Sequence, residues 1–488
     1  MYYIGIDLGT SSVKLLMMDE EGHIVKSVSH TYPIEFPKPG WSQQKPEDWW
    51  AAVVLGLQEM TAAVPAEKIA GISFGGQMHG LVILDKNDEV IRPAILWNDG
   101  RTGEETDYLN EVIGREKLFE YTGNIAFAGF TAPKLLWLQK HEPHHFEKIS
   151  KIMLPKDYIA YRLTGVFAMD VSDASGMLLF DVKKRCWSEP MLRLCGVRRE
   201  QMAEVFESSQ MIGHICAAAA KITGLSEKCL VAAGAGDNAA AAVGTGVVGE
   251  GGCNISLGTS GTIFISGKTF KADQSFGLHG FCHADGGYHL MGCMLSAASC
   301  NQWWSDGILQ TKDYAKTQSE MTRLGENHVF FLSYLMGERS PHNNPKVRGT
   351  FIGMTMDTTR NDMTQAVMEG VIFGLRDSFE IARRLGLQPK MTKICGGGAK
   401  SALWRKMTAN ILGIPVAVVQ SEEGPAMGAA MLAAVGTGAF KTVKEASEKI
   451  VKIAEIIEPD SSLVMKYEAK YRQFAEIYPT VRNIFEII

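Results

Sequence analysis

A chain of 488 residues is too long for one ordinary core and predicts two large domains. With 46% hydrophobic and 21% charged residues and a net charge of -5, it reads as a globular protein with no electrostatic claim on nucleic acid or an anionic membrane. Anionic ligands must then be held locally, by loop N–H groups, helix N-termini and metal. Residues 2–6 are strand-like from the start, with no signal-peptide pattern, and no apolar run is long enough to span a bilayer. The nine cysteines, scattered and without a Cys-x-x-Cys pair, predict reduced thiols in a cytoplasmic setting.

Ile6-Asp7-Leu8-Gly9-Thr10-Ser11-Ser12-Val13 reads as a strand, a tight turn and a second strand. Gly9 supplies the backbone freedom the turn needs. The turn gathers N–H groups and the hydroxyls of Thr10, Ser11 and Ser12 into a concavity that suits phosphate oxygens. Asp7 at its lip is placed to hold Mg2+ that also touches phosphate. A plain hairpin satisfies the same residues. The pattern recurs, however, in Ser256-Leu257-Gly258-Thr259-Ser260-Gly261, which predicts two similar domains gripping one polyphosphate from both sides. Ser256 stands where the first copy has Asp7, so one side alone carries a metal-holding acid.

Residues 24–30 predict a third strand and residues 46–63 a helix, begun by Pro46 with Glu47 and Asp48 at its positive end. A strand over residues 69–74 leads into a loop, Gly75-Gly76-Gln77-Met78-His79-Gly80, of the kind that binds ligands at strand ends in open α/β sheets. A Gly-rich turn with a surface histidine is the bare alternative. Trp97-Asn98-Asp99-Gly100-Arg101 offers a stacking surface and hydrogen-bonding groups for a polyol, although Asp-Gly also marks a simple turn. Helices are expected from Thr131 to His141 and over residues 151–163. Residues 170–176 read as a polar loop whose acids are caps.

In Gly234-Ala235-Gly236-Asp237-Asn238 a strand enters a Gly-x-Gly turn and a small-residue helix leaves it. One reading is a dinucleotide fingerprint, opposed by the charge of Asp237 where a pyrophosphate would lie. A second is that Asp237 caps the helix. A third makes Asp237 a general base that the helix N-terminus keeps ionised and weakly basic. Weak basicity suits a dissociative phosphoryl transfer, in which positioning outweighs base strength.

The Gly-rich residues 244–252 predict the crossover between domains spanning residues 1–246 and 247–488. A long helix is expected over residues 361–385. Gly396-Gly397-Gly398-Ala399 repeats the strand–glycine–helix device and offers a flat face to adenine or ribose, or makes only a tight connection. Residues 424–430 start a close-packed helix. The chain ends in surface helices over residues 443–457 and 462–482.

As an ordered set these motifs, with Lys134-Leu135-Leu136-Trp137 and residues 337–345, resemble the FGGY carbohydrate kinases, and among them the xylulokinases, nearly end to end. The resemblance implies an α/β fold of two ribonuclease-H-like domains, as in actin and Hsp70, around a central cleft. It implies ATP and Mg2+ as cofactors and D-xylulose as the substrate phosphorylated, at its 5-hydroxyl. Met78-His79 looks like the xylulokinase pair, where glycerol kinases have charged residues. Asp237 is implied as the base, Asp7 as the metal- and phosphate-associated acid, and Met78, His79, Asp237 and Asn238 as sugar contacts. ATP phosphates are implied at Thr10, Gly258 and Thr259, and adenosine near Gly397, Gly398 and Ala399. Another acceptor such as ribulose, and a non-catalytic sugar-binding regulator, stay open. So does the oligomeric state, a homodimer included.

Overall fold

The computed structural model describes residues 1–321, 323–421 and 423–487. Two mixed seven-stranded sheets organise them. In the first, β1 (Tyr2–Leu8), β2 (Ser12–Met18) and β3 (Ile24–Thr31) form an antiparallel meander, and β4 (Ile69–Gly76) and β5 (Leu230–Ala232) continue it on the other side of β1 in parallel. The second repeats the plan with β6 (Cys253–Leu257), β7 (Gly261–Gly267) and β8 (Tyr288–Met294), then β9 (Thr392–Cys395) and β10 (Val416–Val419) parallel to β6. The order β3-β2-β1-β4-β5 thus has its counterpart in β8-β7-β6-β9-β10. This is the doubled α/β architecture expected from the repeated strand–turn–strand motif. Ile4, Ile6 and Leu8 on one face of β1 are wholly buried, and Tyr3 and Gly5 on the other face are buried too, as a central strand covered on both faces requires.

Two helices join the halves: α1 (Asp237–Gly244) and α2 (Gly424–Gly436). α2 comes late in the chain but packs on the first sheet, so closely that a Cβ on Gly5 would lie 1.9 Å from the Ala426 carbonyl oxygen. Phe440, Val443 and Ala446 continue that packing against Tyr3, Leu16 and Met18. The chain then returns to the second sheet through Ile453–Ile457, which pairs antiparallel with β10.

Several local expectations are corrected by tertiary pairing. Residues 151–163 split into a strand, Lys151–Met153, and a helix, Pro155–Thr164. Pro155 starts the helix and forces its predecessor to be extended, while the strand pairs with Val82–Leu84. Residues 443–457 likewise divide into Val443–Ile450 and the edge strand. β4 runs on through Gly75 and Gly76, which pair with Asp7 and Leu8 and so belong to the sheet. The last long helix, Ser461–Val481, is not mere surface: Tyr467, Lys470 and Phe474 are buried, and Lys470 pairs with Glu369. Among the described residues no helix is long and apolar enough to cross a membrane.

Candidate active site

Strand register brings the two singled-out acids to one edge. Asp7 pairs with Gly75, and Gly75 with Ala235; the next row is Leu8, Gly76 and Gly236. Asp7 and Asp237 therefore leave the C-terminal ends of strands two apart, with backbones about 10 Å from each other. Packing explains the glycines in between. A Cβ on Gly75 would press on Ala240 at 3.0 Å, and one on Gly76 would lie 2.6 Å from the Lys156 Cβ.

Asp237 is the first residue of α1, and Gly236 occupies the cap position, so Asp237 is not the cap. Its Oδ1 accepts from the backbone N–H of Asn238 at 2.7 Å and from Asn238 Nδ2 at 2.9 Å. Burial outweighs those donors and pushes the carboxyl up to about 6. The expectation that the helix N-terminus keeps it weakly basic is thereby corrected, because desolvation exceeds the pull of the donors. Burial also raises Asp7, and the charge of Asp237 adds to it, so that Asp7 reaches about 7 despite Lys14 across the hairpin. Lys14 is drawn away into a 2.8 Å ion pair with Glu423, at the entry to α2. Two carboxyls left under-compensated at one edge fit a divalent cation, and an all-oxygen donor set fits Mg2+.

The two Gly-Thr-Ser turns are braced differently. Leu8 pairs with Val13 around the first, and Leu257 with Gly261 around the second, so the first is one residue longer. In it Gly9 N donates to Ser12 O at 3.0 Å, Gln44 Nε2 to Thr10 O at 2.7 Å, and the Trp97 indole N–H to Thr10 Oγ1 at 2.9 Å. Trp97 is therefore tied to the first turn by its polar atom. In the second turn Ala298 N donates to Gly258 O at 2.8 Å and Ala297 N to Thr259 O at 2.9 Å. Ser11 and Thr259 stay exposed. Asp99 is placed apart from these groups: its carboxylate accepts from Arg101 and from Ser42 N, its side chain is fully buried, and it locks the turn that aims Trp97.

Met78 lies beside Gly236 and Asn238, the two neighbours of Asp237, and His79 follows it in the chain. Asn238 Nδ2 approaches Met78 Sδ at 3.9 Å, and a Cβ on Gly236 would meet Met78 at 2.9 Å. His79 holds a left-handed φ of 68°, rare for a residue with a Cβ. Its Nδ1 donates to Gly176 O at 2.8 Å, which leaves Nε2 with a free lone pair. Burial, helped by Lys134 and Arg339, lowers the imidazole to about 3, so it is neutral. Along the sequence Lys134 belongs to a helix and to one of the family motifs, with no role of its own. The structure shows it wholly buried, with Nζ donating to His79 O and Gly129 O, each at 2.8 Å, and so fastening the unusual backbone of His79.

Residues 170–176 are helical, not loop: Asp170 caps Val171–Ala174, as read, its side chain accepting from Ser172 N, and Asp170 and Asp173 are also buried around Lys156, 2.9 Å from Asp170. Ser172 Oγ donates to Asp170 and accepts from Gly236 N at 3.1 Å, so this polar core supports the corner that carries Asp237. Nothing local in the sequence marks it; the partners come together only through the fold.

On the second sheet a cavity of about 810 Å3 is lined by Gly258, Thr259, Gln302, Tyr314, Gly397 and Ser401. The three successive glycines differ in task. Gly396, at φ 89°, passes against the Leu257 backbone; Gly398 packs on Leu257 and Trp404; Gly397 alone faces open space. A second cavity of about 620 Å3 shares Gly397 and Lys400 and reaches Ala399, Ala241 and Gly424. The glycine loop thus stands between two neighbouring cavities, one bordered by the second turn and the other by the crossing of α1 with α2.

The FGGY family of carbohydrate kinases matches the chain in two parts, its N-terminal domain over residues 2–244 and its C-terminal domain over residues 253–437. The xylulose kinase of Escherichia coli (strain K12) is 39% identical over 480 residues, 98% of each chain. The crystal structure of xylulose kinase from Rhodospirillum rubrum matches with a TM-score of 0.94 at 27% identity over 100% of both chains. That of gluconate kinase from Lactobacillus acidophilus gives 0.93 at 26% over 98% of both. The backbone is shared by kinases named for different sugars, so it marks the family and leaves the acceptor to side chains. The chain belongs to the FGGY family of carbohydrate kinases.

Proposed function

We propose that this kinase transfers the γ-phosphoryl group of ATP to the 5-hydroxyl of D-xylulose. The observation that carries the reading is the contiguity of Asp237, Asn238, Met78 and His79 at one strand edge. The near-full-length likeness to xylulose kinases supports it.

Asp237 takes the proton of the attacking hydroxyl, whose oxygen then bonds to the γ-phosphorus as ADP leaves. A carboxyl at about 6 is mostly ionised at neutral pH and more basic than an exposed one, which suits a general base. Neutral His79 offers Nε2 as an acceptor to a sugar hydroxyl, and Asn238 offers an amide. Thr10, Ser11, Gly258 and Thr259 hold the phosphates, and Gly397, Gly398 and Ala399 border the adenosine. Asp7 would hold Mg2+, which supplies neutralisation of phosphate charge when bound. Trp97 and Asp99 act through the first turn that they brace. The change of domain falls in residues 244–252. All nine cysteines are free, which supports a cytoplasmic enzyme.

The test is ADP release across D-xylulose, D-ribulose, L-ribulose, L-xylulose, glycerol and gluconate. D-xylulose should give the highest kcat/KM. A higher value for another acceptor overturns the sugar assignment, and no sugar-dependent release with any of them overturns the kinase assignment.

A further inference from the structure

The sugar contacts considered so far all come from the first half of the chain. The loop at residues 337–345 brings one charged group to them from the second. The guanidinium carbon of Arg339 stands 4.4 Å from the ring centre of Phe127 and 5.8 Å from that of Phe130. Phe130 lies 4.7 Å from the His79 ring, and Phe127 lies 4.8 Å from His279. Arg339 therefore covers an aromatic floor of which His79 is one edge.

This cation has no visible protein partner. Among the described residues no carboxylate lies within ion-pairing distance of Arg339 and its side chain donates no hydrogen bond, while its Nε is sealed from solvent without an acceptor. Other inward-facing arginines are paired: Arg101 with Asp99, and Arg376 with Glu380 and Glu468. The adjacent Glu338 does not serve. Its Oε1 accepts from the backbone N–H groups of Leu295 and Arg339, its Oε2 has no partner, and burial pushes it up to about 8, so it is neutral at pH 7. Arg339 is half-buried: its Nε is cut off from water without an acceptor, which is unfavourable, while its Nη groups keep access to solvent. Unpaired Nη groups that open beside His79 are free to donate to the oxygen atoms of a ligand, and the fork of N–H donors on arginine suits several at once.

We propose that Arg339 is a sugar-binding residue supplied by the second domain, donating to the carbonyl and adjoining hydroxyl oxygens of a ketose lying against His79. The acceptor pocket is then complete only when both halves of the chain contribute. This rests on the assignment of Met78 and His79 to the sugar.

The experiment compares wild type with Arg339→Met, which keeps the packing on Phe127, and with Arg339→Lys. Calorimetric titration without nucleotide gives the Kd of the preferred acceptor of the panel above. ADP release gives KM for sugar and for ATP, and thermal unfolding reports the fold. Arg339→Met should weaken the sugar Kd and raise the sugar KM by about ten-fold or more, with the ATP KM within about two-fold and an unchanged unfolding midpoint. Arg339→Lys should recover part of the loss, and methylguanidinium should rescue Arg339→Ala. An unchanged sugar Kd with a lower kcat would assign Arg339 to the phosphoryl group and overturn the proposal. So would a parallel loss of sugar affinity, ATP affinity and melting temperature, which marks structural support only. Wild type that binds none of the acceptors sinks the kinase reading itself, a result visible before any variant is made.

Discussion

A Cβ on Gly244 would lie 2.0 Å from the backbone oxygen of Gly424, and one on Gly428 would lie 1.9 Å from that of Ala240. α1 and α2 therefore touch backbone to backbone. α1 begins with Asp237, and α2 begins one residue after Glu423, the partner of Lys14. The crossing fixes Asp237 relative to the segment through which the second half reaches back to the first sheet.

Gly428→Ala must push the helices apart, because the obstructing atom is backbone. It should lose about 2–4 kcal/mol of stability, as overpacking at a rigid contact does. Thermal unfolding with and without nucleotide measures this. A melting temperature equal to that of wild type would refute the contact.

Activity should fall on the acid side at a higher pH than an ordinary carboxylate gives. Asp237 at about 6 and Asp7 at about 7 must both be ionised in the reading above, so kcat/KM should pass half-maximum near pH 7 and level about one pH unit above it. A bound cation favours the ionised form of Asp7, so saturating Mg2+ and ATP should move the midpoint down toward that of Asp237. A midpoint near pH 4 in both conditions contradicts the burial of these groups.

Asp237→Asn should trade activity for stability. Loss of a general base typically lowers kcat by about 10²–10⁴-fold, with ATP binding retained. The carboxyl is raised from 3.8 to about 6 on folding, so the native state holds more protons than the unfolded one between those values. Stability therefore declines as pH rises through that window, and the ionised residue remains unfavourable above it. The amide removes this penalty. The variant should melt about 2–4 °C higher at pH 8, with the gain gone below pH 4. A variant less stable at pH 8 than wild type would count against desolvation as the dominant effect.

Gly397 and Gly398 separate open space from packing. A side chain at 397 meets no protein atom, whereas one at 398 would lie 2.9 Å from Leu257 and from Trp404. Gly397→Val should raise the KM for ATP about ten-fold with little change in melting temperature or sugar affinity. Gly398→Val should lower the melting temperature. The opposite pattern would move adenosine out of this cavity.

The architecture and the outline of the site were legible along the chain because their causes are local. A strand, a Gly-Thr-Ser turn and a second strand declare themselves within a dozen residues, and their repetition announces two sheets of one plan. Asp7, Asp237 and Met78-His79 stood out because glycines beside them left room. What the tertiary structure alone decided were matters of partnership over long separations. Lys151–Met153 and Ile453–Ile457 are strands because other strands receive them. Asp170 is core because Lys156 meets it. Lys134 matters because its ammonium closes on the carbonyl of His79, and Arg339 because it arrives without a counter-charge. The basicity of Asp237 turned on the same distinction: helix position is written in neighbouring residues, but the water a carboxylate loses depends on everything that folds around it.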